Sequence, residues 1–204
     1  MPIIRCTHKL LREMGLKAAD LSTEEPDSSP LSSWHANLIY IARRKCILFT
    51  NDRTLFNFIA PDMRRVDIRN LGKIFLSYLP CVLNEEQLPR TVVEQIMSES
   101  AHITYGRTSN RSILGSMNDL AFHYKLHILN VGGVCSAEVP SIIKQLNHMP
   151  MGALKYAFPI EELKVLYGIQ RKCLQRMSIS RKEKKPNTYE ASLCQRVSRS
   201  PDRE

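Results

Sequence analysis

Residues 102–129, HITYGRTSNRSILGSMNDLAFHYKLHIL, decide the fold because they join a late strand to the longest helix that the sequence predicts. Residues 102–108 predict a strand that enters a polar turn, and a helix follows from Arg111 to about Leu129. At about 100° per residue, one side of this helix carries a continuous apolar stripe, which we expect to pack on the core. The stripe contains Ile113, Met117, Leu120, Tyr124 and Ile128.

The same helix carries apolar residues on its other side as well. Phe122, Leu126 and Leu129 project away from the stripe, which predicts a helix covered on two faces and therefore central to the domain. Gly115 is unfavourable inside a helix by about 1 kcal/mol relative to alanine. We therefore expect another backbone to pack closely against it.

Three apolar runs between residues 34 and 61 predict an antiparallel β-meander. The runs WHANLIYIA, CILFT and TLFNFIA are separated by the polar turns RRK and NDR. With strands at residues 3–6 and 102–108, they predict a small antiparallel sheet packed against several helices, an α+β fold. Helices are predicted at residues 8–14, 71–83, 90–97, 140–146 and 159–166, and residues 64–70 form a basic connector.

Length and charge define the predicted domain organisation. The 204 residues are enough for one domain with a proper core. Residues 171–204 contain ten Lys or Arg against four Asp or Glu, a net charge of +6 out of the +9 of the whole chain. We therefore predict a single α+β domain over residues 1–168 and a basic, disordered tail over residues 169–204.

The cysteines and the N-terminus indicate where the protein acts. The six cysteines lie singly, without a C-x-x-C pair, which argues against a zinc ribbon, a thioredoxin-type site and a secreted disulfide framework. No apolar segment has the length of a signal peptide core or of a membrane span. We predict a cytoplasmic protein that does not associate with membranes and has no cofactor.

Three blocks of sequence carry a resemblance to a known family. IIRCTHKLL, SWHANLIYIARRKCILFTNDRTLFNFIAPD and GRTSNRSILGSMNDLAFHYKLHI closely resemble a bacterial family, the domain of unknown function 6933. The resemblance covers residues 3–167 and implies a bacterial, intracellular, single-domain protein. It implies no activity and no catalytic residues. Ala42 stands where the family usually has an acidic residue.

The start of the long helix is a candidate anion site. Free backbone N–H groups, the positive end of the helix dipole and two guanidinium groups suit a phosphate or a carboxylate. The alternative is that Ser109 or Asn110 caps the helix while the arginines are solvated or paired. The candidate residues are Arg107, Ser109, Asn110, Arg111 and Ser112.

A second group of candidates lies further along the same helix. Asp119, His123 and His127 recur every fourth residue and share one side, and two histidines at that spacing can bind a divalent metal. No further ligand is close in sequence, and histidines at the border of an apolar stripe more often cover the core. We therefore predict no metal site.

The first strand of the meander and its second turn provide a third group. Trp34, His35 and Asn37 could line a pocket with Asp119 and His123, and His35 could form an acid–base couple with Asp52 if the two residues meet in space. The alternative is a buried tryptophan with polar residues that close turns. Cys46 lies inside a predicted strand and is better interpreted as a core residue than as a nucleophile.

No complete catalytic motif accompanies these residues: the sequence has no G-x-S-x-G, P-loop or G-x-G-x-x-G pattern. Our leading hypothesis is a non-enzymatic binding or interaction domain, with nucleic acid or a phosphate-bearing ligand as its candidate partner. The alternative is an enzyme acting on a phosphorylated or nucleic-acid substrate. Such an enzyme would bind the anion through the two arginines and transfer protons through His35, Asp52, Asp119 or His123.

Overall fold

A five-stranded sheet forms the centre of the fold in the computed structural model, which describes residues 2–23, 29–100, 102–108 and 110–169. The strands are β1 (Ile3–Cys6), β2 (Ser33–Ile41), β3 (Arg44–Asn51), β4 (Asn57–Ala60) and β5 (Thr104–Arg107). They lie in the order β4-β3-β2-β1-β5. The two longest strands, β2 and β3, are therefore neighbours near the centre.

The sheet is mixed rather than antiparallel. β2, β3 and β4 form the antiparallel meander that the sequence predicts. β1, however, runs parallel to both β2 and β5, so the predicted antiparallel sheet is wrong for these two added strands. The reason is the long connection after β1, which contains a helix and returns the chain to the end where β1 began. The α+β class is confirmed.

A two-residue turn joins β2 to β3. Ala42 and Arg43 have φ angles of +47° and +67°, the left-handed values that a type I′ hairpin turn requires at both positions. The predicted turn of residues 43–45 is therefore wrong, because Arg44 already belongs to β3. The twist of this turn matches the twist of the two strands, which favours the short connection.

Helices cover both faces of the sheet. The helices of the described residues are α1 (His8–Met14), α2 (Arg65–Ile68), α3 (Leu71–Glu85), α4 (Arg90–Glu99), α5 (Arg111–Asn130), α6 (Val139–Asn147) and α7 (Pro159–Leu166). The predicted basic connector thus contains a short helix, α2. The predicted tail lies outside the described residues except for Ile169, so its disorder stays a prediction.

An aromatic cluster fills the space between α3 and one face of the sheet. The ring of Phe75 in α3 lies 5.0 Å from that of Trp34 and 5.4 Å from that of Phe49, measured between centroids. Phe49 and Phe58 stack at 4.9 Å across β3 and β4. Edge-to-face and offset ring pairs of this kind add to the free energy gained by burial alone.

A hydrogen-bonded network ties the opposite face to α5 and α6. The hydroxyl of Tyr124 donates to Asn57 Oδ1 at 2.7 Å, and the amide of Asn147 donates to the carbonyl of Asn57 at 2.8 Å. All three residues are fully buried. Because the buried polar atoms satisfy one another, the helices are fixed against the start of β4.

The helix α5 is buried on one side only. Its predicted apolar stripe packs on the core: Ile113, Met117, Leu120, Tyr124 and Ile128 are all buried. Phe122, Leu126 and Leu129 are instead 65%, 46% and 45% exposed, so the predicted cover on a second face is wrong. Helical periodicity identifies apolar positions but does not show whether the same chain covers them.

Candidate functional site

A row of polar side chains crosses the sheet beneath α5. Arg5 in β1 pairs with His35 in β2, His35 pairs with Thr50 in β3, and Thr50 pairs with Asn57 in β4. Residues that pair directly across strands point to the same face. The hydrogen bond from Tyr124 to Asn57 shows that this is the face covered by α5.

Asp52 follows directly after β3, and its carboxylate contacts several side chains near one end of this polar row. Its Oδ1 lies 2.5 Å from Nδ1 of His35, and its Oδ2 accepts a hydrogen bond from the hydroxyl of Ser33 at 2.5 Å. The guanidinium of Arg5 donates to Ser33 and lies 3.4 Å from Oδ2 of Asp52. The carboxylate therefore contacts a cation, a hydroxyl and an imidazole, which together stabilise its charge.

The imidazole of His35 presents a free nitrogen in a buried place. His35 is 1% exposed, and neither its Nε2 nor Oγ1 of the neighbouring Thr50 has a hydrogen-bond partner. A carboxylate at Nδ1 orients an imidazole as in catalytic dyads. The structure thus places the predicted His35–Asp52 couple in contact, but a substrate would have to reach a nitrogen that solvent does not reach. The acid–base role stays a prediction.

The other two candidates of the meander have structural partners. Trp34 is fully buried, and its Nε1 donates to the carbonyl of Leu31 at 2.7 Å. It lies on the face of β2 opposite to His35, since neighbouring residues of a strand alternate. Asn37 accepts a hydrogen bond from the hydroxyl of Thr7 at 3.0 Å. Neither side chain shares a hydrogen bond with His35 or Asp52 in the described part of the chain.

The histidines of α5 do not join this cluster. Asp119 is exposed, and the rings of His123 and His127 lie 6.3 Å apart, nearly parallel. No hydrogen bond or ion pair between described residues connects Asp119 or His123 to His35 or Asp52. Over the same residues, no group of three or more His, Cys, Asp or Glu is arranged to hold a metal ion.

The start of α5 is capped by its own side chain. Oδ1 of Asn110 accepts hydrogen bonds from the backbone N–H groups of Ser112 and Ile113 at 3.0 and 3.2 Å. This cap uses two of the N–H groups that a bound anion would need. Arg107 and Arg111 are exposed beside it, whereas Ser109 lies outside the described residues. The anion site stays a prediction that depends on the two guanidinium groups.

A pocket that sequence reasoning missed opens on the described surface. It encloses about 540 Å³ between α3, α6, the end of β4 and the loop after α5. Small-molecule sites typically have volumes of about 300–1,000 Å³ and apolar walls with a few polar groups. The apolar part of the lining includes Ile59, Val82, Val134, Val139 and Ile143.

Glu86 is a buried carboxyl group in the lining of this pocket, which also includes the polar residues Ser77, Ser136 and Lys144. Glu86 directly follows α3 and is 6% exposed, and its Oε2 lies 2.8 Å from Nε2 of His148. Its other oxygen, Oε1, is buried without any hydrogen-bond partner. Burial raises the pKa of Glu86, and the hydrogen bond with His148 lowers it by a smaller amount. The pocket thus contains a buried carboxyl group with one unused oxygen.

A signal for Glu86 does exist in the sequence. Phe75, Leu79, Val82 and Leu83 are all buried along α3, and helical spacing places residue 86 on the same side. A carboxyl group that continues an apolar stripe is costly to bury unless it has a partner or a function.

The matching family model covers residues 3–162 and is described as Domain of unknown function (DUF6933). The chain belongs to this family. No curated protein matches it. In this DUF6933 member, the polar row with Asp52 and nearly all of the fold, including Glu86 and the whole pocket lining, lie within the matched residues. Among the described helices of the DUF6933 domain, none is both long and apolar enough to cross a lipid bilayer.

Proposed function

We propose that this DUF6933 protein is a non-enzymatic binding domain for a small molecule that has an apolar body and one amine or hydroxyl group. The observation that carries the proposal is the unpartnered Oε1 of Glu86 in the lining of an apolar pocket. As at His35, solvent does not reach this atom, so the Glu86 side chain would have to turn toward the pocket to meet a ligand. A bacterial, cytoplasmic setting is part of the proposal. The cytoplasmic part is supported by the exposed free thiols of Cys81 and Cys135 at the pocket, which suit a reducing compartment.

The walls of the pocket favour an apolar ligand body. Aliphatic side chains from four segments line it, and burying a ligand methylene group against such a surface gains about 0.8 kcal/mol. Lys144 lies at the edge, where its ammonium group donates to the carbonyl of Glu85 at 3.0 Å. The lysine is therefore turned toward the end of α3 and leaves the apolar walls free.

The chemistry of Glu86 favours a hydrogen-bond donor on the ligand. An ionised carboxylate accepts hydrogen bonds only, and a buried acceptor without a donor costs about 1–3 kcal/mol. A ligand hydroxyl would remove this cost, and a ligand ammonium would also pair with the charge. A ligand carboxylate would be repelled. We therefore expect amines to bind most tightly, alcohols less tightly and acids weakly or not at all.

The anion site and the enzyme are separate predictions. An anion or nucleic-acid site near Arg107 and Arg111 would coexist with the pocket, because these residues do not line it. The enzyme alternative is supported by the contact between His35 and Asp52. It requires an opening above His35 that would admit a phosphorylated substrate.

Calorimetric titration with n-octylamine, n-octanol and octanoate tests the proposed ligand class, because the three share one chain and differ in the head group. We expect binding in the order amine, alcohol, acid. Glu86→Gln should weaken the amine by about tenfold or more, the loss expected for one charge-assisted hydrogen bond, and leave the alcohol nearly unchanged. Failure of all three compounds to bind would overturn the proposal.

Two matched variants separate the pocket from the rest of the surface. Ala137 is an exposed residue of the pocket lining, and Ala153 is an exposed residue outside it. Ala137→Trp should block all binding, whereas Ala153→Trp should leave it intact. Equal binding by both variants would place the ligand elsewhere. Each variant should fold, because both positions face solvent and the new ring displaces no core side chain.

A further inference from the structure

An apolar stripe runs along the outer side of α5. Among the seven large hydrophobic residues that are exposed in the described chain, three lie on this one helix: Phe122, Leu126 and Leu129. Their spacing of four and three residues places them in one line. Scattered exposed apolar residues need no explanation, but a contiguous line of them indicates a contact surface.

Gly115 lies on the same line, two turns before Phe122. At about 100° per residue, positions 115, 119, 122, 126 and 129 fall within roughly a quarter of the helix circumference. A Cβ atom at Gly115 would meet no atom within 4 Å, so nothing in the described chain requires a glycine there. The residue nevertheless costs about 1 kcal/mol relative to alanine. A partner that approaches the backbone from outside would explain it.

We propose that a second copy of this chain binds this stripe, with the two α5 helices antiparallel about a two-fold axis at Phe122. The axis stacks Phe122 on its symmetry mate and places Leu129 of each copy on Gly115 of the other. A parallel pair would instead oppose two leucines at one end and two glycines at the other. The antiparallel pair matches large with small at both ends, which keeps the helices evenly spaced.

The charges beside the stripe are compatible with this arrangement. In an antiparallel pair, each side of the stripe faces the same side of the other copy. Asp119 and His123 share one side, so Asp119 of each copy lies opposite His123 of the other, close to the axis. Lys125 lies on the other side, opposite the uncharged Asn118. No like charges are therefore brought together.

The size of the surface predicts a weak dimer. The segment from Gly115 to Leu129 is about 21 Å long at 1.5 Å per residue. One helix of this length covers less than the roughly 800 Å² per partner of a standard stable interface. We therefore expect a dissociation constant in the range of tens of micromolar, so that the dimer forms only in concentrated solution.

Sedimentation velocity of the full chain over a wide concentration range tests the dimer. We expect the weight-average mass to rise from monomer toward dimer, and Phe122→Asp to abolish the rise while the circular dichroism spectrum stays unchanged. A monomer at every concentration overturns the proposal and leaves the stripe to another occupant, such as residues 170–204. Dimers that persist in Phe122→Asp overturn the assigned face.

A compensating pair of substitutions tests the antiparallel register. Gly115→Leu has open space in the monomer, so it should fold and gain helix stability. It should weaken dimerisation by at least tenfold, because the new side chain meets Leu129 of the other copy. Adding Leu129→Ala should recover most of the loss. In a parallel pair, the new leucine would face its own symmetry mate, so Leu129→Ala would not restore dimerisation. Failure of Leu129→Ala to restore it would therefore overturn the antiparallel register.

Discussion

The carboxyl group of Glu86 shows how burial controls a single titration. Its side chain is 2% exposed, and removing the ionised form from water is unfavourable, which raises the pKa. His148 opposes the shift through its hydrogen bond, but the effect of burial is larger. A raised pKa means that the folded state binds a proton more tightly than the unfolded state does.

This difference predicts a pH-dependent loss of stability that Glu86→Gln removes. Below the unfolded-state pKa, near 4.5, the carboxyl is protonated in both states and contributes its full stabilisation. That contribution is lost as the pH rises through the folded-state pKa, by about 1.4 kcal/mol per unit of upward shift. Urea denaturation across this range should show that the free energy of unfolding of the variant rises relative to that of the wild type as the pH increases. A constant difference at all pH values would contradict the raised pKa.

At the scale of single residues, the sequence predicts which side chains meet only where the pairing of two strands fixes their register. His35 and Asp52 lie on the two arms of one hairpin, both at its open end, so their contact could be predicted from the meander. Arg5 joins them through a parallel pairing that the sequence does not specify. Ser33 was missed because the first predicted run of the meander starts at residue 34, although β2 begins one residue earlier.

The helix α5 is the element whose bounds depend most clearly on a local signal. Asn110 accepts two backbone N–H groups through Oδ1, and capping residues of this kind define where a helix starts. The alternation of buried and exposed sides of α5 is equally local in origin. Whether anything covers the exposed side is not a local property, because it depends on surfaces outside this helix.

Asn110→Ala should destabilise the protein by about 1 kcal/mol, because two N–H groups of the first turn lose their acceptor. Asn110→Asp should retain most of the stability, since a carboxylate accepts the same bonds and interacts favourably with the helix dipole. Thermal denaturation of the three proteins measures the difference. Equal melting temperatures would show that water replaces the cap without cost. If added phosphate restores the melting temperature of the Asn110→Ala protein, that result would support an anion site beside Arg111.

At the scale of the whole molecule, the fold brings together segments that lie far apart in the chain. The pocket combines β4, α3, the loop after α5 and α6. Each of these elements could be predicted separately, apart from small shifts at their ends. Their arrangement could not, because helical and strand periodicities specify a buried face but not its partner. The pocket was missed for this reason.

The network around Asn57 predicts how the parts cooperate. Tyr124 and Asn147 both form hydrogen bonds with Asn57 but reach it from different helices. Removing either side chain therefore changes how Asn57 is held for the other. Tyr124→Phe alone should cost about 1–3 kcal/mol, because Oδ1 of Asn57 loses its donor inside the core. The double variant with Asn147→Ala should lose less free energy of unfolding than the two single variants together, by about 0.5 kcal/mol or more.

Asn110→Ala provides the control for this double-mutant cycle, measured by urea denaturation. Asn110 shares no hydrogen-bond partner with Tyr124 among the described residues, so Tyr124→Phe and Asn110→Ala should add within about 0.5 kcal/mol. Additive losses in both pairs would contradict the idea that Asn57 couples α5 to α6. A coupling confined to the first pair would show that the start of β4 holds α5 and α6 as one unit. The same contacts would then position the wall that α6 contributes to the pocket.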